Sequence, residues 1–385
     1  MKHLLLKLIV IVLLWKLVTI GAAYMVAPLL PLQKDLTALR DKQFKTFGIT
    51  LPYGAWVWGN MDGFYYMSIA DRRDYHDGQE PFFPLFPISM IVIRQFFLTI
   101  LPHFQGYYYL IPIGQFVSLA SLIGALFIVY KLLRIDKSLS LFSFFLLLIL
   151  TFPTSFYYGA VYNDALFFFL ATLCIYLGRS KRWFGASVAG FFATLTRLNG
   201  LALFWYLVVE YLMVMKIKNW KIMSFFLLIP GAFLTYLGYI QKNSGSWHML
   251  FDSMKTWGQD KPVFPLQVFW RYFKIIITAN PLRYNYWVAI GELGFVLFLI
   301  GLLFYSYRKI RRSYWIFFFL SVLIPAMTGT FQGMPRYGLH LYPMYLSLAL
   351  VLRQQLPIMK VLYIIISLIL LIVYLTFFTR GYFAA

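Results

Sequence analysis

The residues best suited to chemistry sit in Asn60-Met61-Asp62-Gly63-Phe64-Tyr65-Tyr66. An aspartate can hold or accept a proton, a neighbouring glycine lets a substrate approach the backbone, and the tyrosines can stack or hydrogen-bond. Asp71, Asp74, Asp77 and Glu80 follow, so five of the thirteen acidic residues fall between Asp62 and Glu80. Carboxylates are costly in a bilayer and tend to be retained where ligands, chemistry or water require them. The plain alternative for Asp62 is a solvated aspartate in a turn. The oxygen-rich run suits Mg²⁺, Mn²⁺ or Ca²⁺, but Arg72 and Arg73 are interleaved with it. Cation-neutralised carboxylates are therefore the expectation; no metal ligands or cofactors are assigned, and a divalent cation is left open.

The frame that must position these residues is a membrane protein. The chain has 385 residues, 61% hydrophobic, 21% aromatic and 12% charged, with a mean hydropathy of +0.74. That composition excludes a soluble globular domain. No linker, low-complexity tract or fixed-period repeat divides it, so 1–385 reads as one membrane domain. The net charge of +21 comes from Lys and Arg that punctuate apolar spans and form no continuous stripe, which argues against nucleic acid. Cys174 is the one cysteine, so no intrachain disulfide is possible.

Spans of ~20 apolar residues give an all-α bundle of about eleven crossings: 8–29, 109–130, 139–157, 163–179, 183–199, 200–215, 222–240, 287–307, 313–330, 337–352 and 361–378. With Lys2 and Lys7 inside, the cytoplasmic loops receive Lys131/Arg134/Lys137, Arg179/Lys181/Arg182, Lys216/Lys218/Lys221, Arg308/Lys309/Arg311/Arg312 and Arg353/Lys360. Every cytoplasmic loop is then basic, as short-loop topology requires. The outer side receives the 31–108 loop with Asp62, then Asp164, Arg197, the 241–286 loop and Arg336–His340. Phe82-Phe83-Pro84-Leu85-Phe86-Pro87 and the apolar run to Leu101 read as an interfacial or re-entrant helix, because another crossing would put the basic loops outside. The first span reads as an uncleaved anchor, since its apolar run continues to Leu30.

There is no G-x-x-x-x-G-K-[ST], G-x-G-x-x-G, C-x-x-C or H-E-x-x-H. Phosphate-loop ATPase, dinucleotide and zinc chemistry are therefore not indicated.

Four segments in order carry a family resemblance: Met61-Asp62-Gly63-Phe64-Tyr65-Tyr66 with Phe82-Phe83-Pro84-Leu85-Phe86-Pro87; Pro153-Thr154-Ser155-Phe156 through Tyr162-Asn163-Asp164-Ala165-Leu166-Phe167; Thr196-Arg197-Leu198-Asn199-Gly200; and Pro335-Arg336-Tyr337 with Pro343. Together they cover most of the chain and resemble the PIG-V-like mannosyltransferases of the GT-C class of polytopic glycosyltransferases. Met61 stands where that family has Trp, and Asn163-Asp164 where Ser/Thr-Glu is usual.

The resemblance implies transfer of a hexose, with mannose expected, from a polyprenyl- or dolichyl-phosphate donor to a glycan or glycolipid acceptor at the extracytoplasmic face. Such chemistry needs a base for the acceptor hydroxyl and cations for the departing phosphate. Asp62 is the candidate base; Tyr65 and Tyr66 are candidate sugar contacts, and Asp71 or Asp74 with Tyr75 could bind acceptor hydroxyls. Arg197 could bind phosphate or simply snorkel to the interface. Arg336 and His340, four residues apart, share a helical face if a helix begins near Pro335. Asp164 is either a second acidic site residue or a carboxylate favoured by a helix N-terminus. Glu210 and Glu292 are explained by pairing with a neighbouring Arg or Tyr. The aromatic 241–286 loop suits sugar stacking or a membrane-interface belt. A transporter or flippase of a lipid-linked sugar is the alternative class, and a non-catalytic scaffold a third. The setting expected is a prokaryotic plasma membrane in preference to endoplasmic reticulum.

Overall fold

Apolar runs of this length can satisfy their backbone groups in a bilayer only as helices or closed barrels, and the pattern here is helical. The computed structural model describes residues 2–33, 52–75, 78–100, 109–215, 219–255, 258–259 and 261–383. Asp77, Lys216, Lys218 and Trp257 lie outside the described residues. Among the described residues the secondary structure is helical, with no strand.

Five helices are long and apolar enough to cross a membrane: Lys2–Leu29, Leu110–Ile135, Trp220–Ser244, Tyr284–Ser306 and Pro357–Arg380. Besides a single α-helical turn at Tyr53–Trp56, the helices in chain order are α1 (Lys2–Val26), α2 (Asp62–Arg72), α3 (Leu85–Ile100), α4 (Leu110–Ile135), α5 (Phe142–Leu150), α6 (Asp164–Arg179), α7 (Trp183–Thr194), α8 (Ala202–Val214), α9 (Trp220–Phe226) and α10 (Leu228–Ser244). They continue as α11 (Met249–Met254), α12 (Pro265–Thr278), α13 (Tyr284–Ser306), α14 (Arg312–Ala326), α15 (Met334–Tyr337), α16 (Tyr342–Arg353) and α17 (Pro357–Arg380). Leu14, Leu17 and Val18 of α1 and Val361, Ile365 and Ile369 of α17 are exposed. So much apolar side chain on the outside fits lipid better than water, and the protein is membrane-embedded.

The core forms where α6 packs against α4 and α7, with α10 beyond α7 and α8 against α14. Small residues permit the close approaches. A Cβ on Gly190 of α7 would lie 2.5 Å from the Ile229 side chain of α10.

The span expected over 139–157 is not one helix. α5 stops at Leu150, Pro153 lies in the turn that follows, and Ser155–Gly159 form a buried 3-10 segment. Proline lacks an N–H and disfavours helix in the residue before it. The carbonyls released from helical bonding find side-chain donors instead. Lys16 Nζ donates to Gly159 O at 2.8 Å, Gln115 Nε2 to the same oxygen at 3.2 Å, and Ser118 Oγ to Ala160 O at 2.8 Å. Such backbone is tolerated among apolar helices only when satisfied in this way. The Lys16 ammonium also lies 3.1 Å from the centroid of the Trp58 ring.

Two other expected spans are shorter than their apolar runs. α7 ends at Thr194, and Arg197 is extended before the 3-10 turn Leu198–Leu201. The helix expected from 337 begins at Tyr342. These interruptions create the site.

Candidate functional site

Asp62 is the first residue of α2, preceded by Met61 at φ 53° and ψ −118°. A side-chain-bearing residue pays for that backbone conformation in steric strain, and surrounding contacts must hold it. The Asp62 N–H donates to the Tyr162 hydroxyl at 3.2 Å, and that hydroxyl donates to Asn60 O at 3.0 Å. Val161 N–H donates to Trp58 O at 2.9 Å, and Asn60 Nδ2 to Phe378 O at 3.1 Å. A Cβ on Gly63 would stand 3.3 Å from Val161 O, so glycine permits the turn to press against the irregular segment before α6.

Asp164 opens α6 and is completely buried. Arg197 Nη1 lies 2.6 Å from its Oδ1, and Arg336 Nε 3.0 Å from its Oδ2. His340 Nδ1 is 3.5 Å from Asp164 Oδ1 and 3.4 Å from Arg197 Nη1. Arg336 also reaches Asp62, with Nη1 2.5 Å from Oδ2. Two guanidiniums and two carboxylates balance in charge, so a buried cluster that would be prohibitive one ion at a time becomes tolerable. Burial alone would lower the Arg336 pKa; Asp164 and Asp62 overcome it and hold the guanidinium well above its usual range. Its planar cation also stands 4.6 Å from the Tyr162 ring centroid and 5.2 Å from that of Tyr157.

Of these groups Asp62, Arg197 and Arg336 line a cavity of about 210 Å³, while Asp164 and His340 lie buried behind its wall. Asp62, Tyr66, Asn163, Arg197, Gln332 and Arg336 give it a polar wall, while Phe82, Phe83, Phe233, Leu250, Phe251 and Ile324 give an apolar one. The apolar wall joins the turn before α3 to α10, α11 and α14. Asp62 is the more open of the two carboxylates, with a side chain 32% exposed against 0% for Asp164. Burial, and then the Asp62 charge, raise the Tyr66 pKa. Its phenol stays protonated and can donate to a ligand.

Five of the residues singled out by sequence meet here: Asp62, Asp164, Arg197, Arg336 and His340. Tyr66 stands with Asp62, Arg197 and Arg336 in the cavity wall, whereas Tyr65 stacks on Phe82 with ring centroids 4.5 Å apart. Asp71 is ion-paired with Arg94 at 3.0 Å, and exposed Asp74 accepts from the Tyr75 N–H at 2.7 Å. Neither lines the cavity. Glu80 is buried, accepting from Ser253 Oγ at 2.6 Å and from Gly78 N–H at 3.0 Å. Among the described residues no group of His, Cys, Asp and Glu is arranged to hold a metal ion.

Arg336 and His340 approach Asp164 differently from the regular helix considered for them. α15 ends at Tyr337 and tightens into the 3-10 turn Gly338–His340. Both side chains still converge, because the turn is pinned by Thr154 Oγ1 donating to Pro335 O at 2.9 Å and by the Tyr158 hydroxyl donating to Leu339 O.

Glu210 and Glu292 are paired, as their surroundings in sequence suggested. Glu210 accepts from Arg311 Nε and Ser313 Oγ, each at 2.6 Å, with Arg179 Nη1 at 3.5 Å. Arg179 continues to Asp136 at 2.8 Å, and Asp136 accepts from the Tyr314 and Tyr342 hydroxyls. Glu292 accepts from the Tyr272 hydroxyl at 2.5 Å. The contributions of Tyr157, Tyr162 and Asn163 were not singled out in advance. The dense Ser155–Asp164 segment was the available signal, but only the broken helix shows that these tyrosines lie beside Arg336.

No family model matches the chain, and no curated protein matches it.

Proposed function

We propose that the chain is an inverting hexosyltransferase of GT-C type, transferring a sugar, mannose in the first instance, from a polyprenyl- or dolichyl-phosphate donor to a hydroxyl of a glycan or glycolipid. The observation that carries this reading is the cavity in which a partly exposed carboxylate and two guanidiniums share space with an aromatic and aliphatic wall. An amphiphile with a phosphate head and an isoprenoid tail matches both walls. In the proposed reaction Asp62 takes the proton from the acceptor hydroxyl as its oxygen bonds to the sugar C1. The C1–O bond to phosphate breaks, and its electron pair leaves on the phosphate oxygen. Arg336 and Arg197 are the proposed phosphate ligands. Once Asp62 is neutralised, the departing phosphate takes its place opposite the two guanidiniums.

Arg336 also pairs with Asp62, so the donor phosphate must compete with that carboxylate for the guanidinium. We further propose the arrangement of about eleven crossings that puts Asp62, Asp164, Arg197 and Arg336 at the extracytoplasmic face, with basic loops opposite. No cofactor is required by this scheme.

The test is sugar transfer from a radiolabelled polyprenyl-phosphate donor by the protein in lipid vesicles. Donor binding without transfer or hydrolysis would instead favour transport of a lipid-linked sugar.

A further inference from the structure

α12 has a feature that docking to the protein does not explain. Leu266, Trp270, Phe273 and Ile277 recur at intervals of four, three and four residues, forming one helical stripe. All four side chains are exposed, while Val268 and Tyr272 on the other side are buried. The helix is therefore docked along one face and uncovered along an apolar one.

Charge and chain connection identify what covers that face. From Lys261 to Gly291 there is no Asp or Glu, and the segment carries Lys261, Arg271, Lys274 and Arg283. The Lys274 ammonium stands 5.4 Å from the Trp270 ring centroid, at the margin of the stripe. α12 ends at Thr278, and α13, one of the five long apolar helices, begins at Tyr284. The connection from Thr278 to Tyr284 can span at most ~22 Å, so α12 cannot lie far from the membrane entered by α13. Exposed Trp287 near the start of α13 donates Nε1–H to Pro281 O at 2.9 Å, bracing the connection.

We infer that α12 lies along the surface of an anionic bilayer, its Leu266, Trp270, Phe273 and Ile277 stripe at the acyl boundary and Lys274 among the lipid phosphates. Cationic helices with one broad apolar face and aromatic side chains bind membranes in this way. The inner face gives the placement a consequence. The Tyr272 hydroxyl contacts Glu292 at 2.5 Å and accepts from Phe331 N–H at 3.0 Å, while Arg271 Nη1 donates to Gly329 O at 2.9 Å. The segment leading to Arg336 is thus fastened to a helix resting on lipid. This inference is independent of the proposed transfer reaction.

The experiment uses the full chain with Cys174→Ala, a nitroxide at Phe273→Cys or Ile277→Cys, and a reference label at Lys261→Cys. The proteins are placed in vesicles containing phosphatidylglycerol, and oxygen and an aqueous nickel chelate are compared as relaxing agents. Labels at 273 and 277 should be relaxed several-fold more effectively by oxygen than by the chelate, with the order reversed at 261. Equal or greater access of the chelate at both stripe positions would place the stripe in water and overturn the inference. Exclusion of both agents would overturn it too, by showing a protein cover such as a second copy. The two stripe positions provide the same readout if one variant fails to insert.

Discussion

Arg336 Nη1 lies 2.5 Å from Asp62 Oδ2 across 274 residues of chain, while Nε of the same guanidinium reaches Asp164 Oδ2 at 3.0 Å. One planar cation therefore joins the more open carboxylate of the cavity to the buried one beneath it. Lysine could neutralise either charge but could not reproduce the fork. In Arg336→Lys we expect kcat/KM to fall roughly ten- to a hundredfold, the worth of one charged hydrogen bond. Steady-state transfer assays check this; unchanged kinetics would remove Arg336 from the site.

Asp164 has the opposite balance of roles. It is fully buried and meets Arg197, Arg336 and His340. Removing its charge leaves two guanidiniums without their shared partner, a change that costs about 3–5 kcal/mol in buried pairs. We expect Asp164→Asn to lower the thermal unfolding midpoint in detergent far more than Asp62→Asn does. Equal midpoints for the two variants would contradict the distinction drawn from burial.

The Glu210 cluster should affect stability without setting the chemistry. Glu210 receives Arg311 and Ser313 at 2.6 Å and is absent from the cavity wall. Glu210→Gln should destabilise the protein by roughly 3 kcal/mol, while activity per folded molecule remains within about twofold of wild type, a difference below ~0.5 kcal/mol. Unfolding curves and active-fraction titration separate the two quantities. A selective fall in kcat at full folded fraction would show coupling to the reaction.

Asp71 is engaged by Arg94, and Asp74 is exposed outside the cavity wall. Partly exposed ion pairs contribute about 1 kcal/mol or less. We expect Asp71→Asn and Asp74→Asn to retain transfer activity to within about threefold, with or without EDTA. A large loss in either variant that is matched by EDTA in wild type would instead implicate a divalent cation.

Much of the site was legible because polar residues in an apolar chain are conspicuous. Asp62, Asp164, Arg197, Arg336 and His340 stand out for that reason, and the structure brings them together. The resemblance-bearing segments coincide with breaks in regular helix, including the turns before α2 and α6 and after α7. The division between Asp62 and Asp74 was not legible. Both belong to one acidic run, but the helix carries the first into the cavity and leaves the second exposed. The 139–157 segment misled because hydropathy measures apolar content and not backbone continuity; Pro153 and the carbonyl contacts of Lys16, Gln115 and Ser118 define its path. The five long apolar helices were visible as continuous runs, whereas α7 and α14 stop short of the length expected for their spans.

The most direct measurement is transfer of radiolabelled mannose from polyprenyl-phosphate-mannose by wild type and Asp62→Asn, each reconstituted in lipid and verified as folded. We expect wild type to turn over and the variant to lose about 10²–10⁴-fold in kcat, the usual contribution of general base catalysis, while still binding donor. Wild-type turnover with an equally active Asp62→Asn protein would contradict the base assignment, and donor binding with no wild-type transfer to any acceptor would contradict the transferase itself.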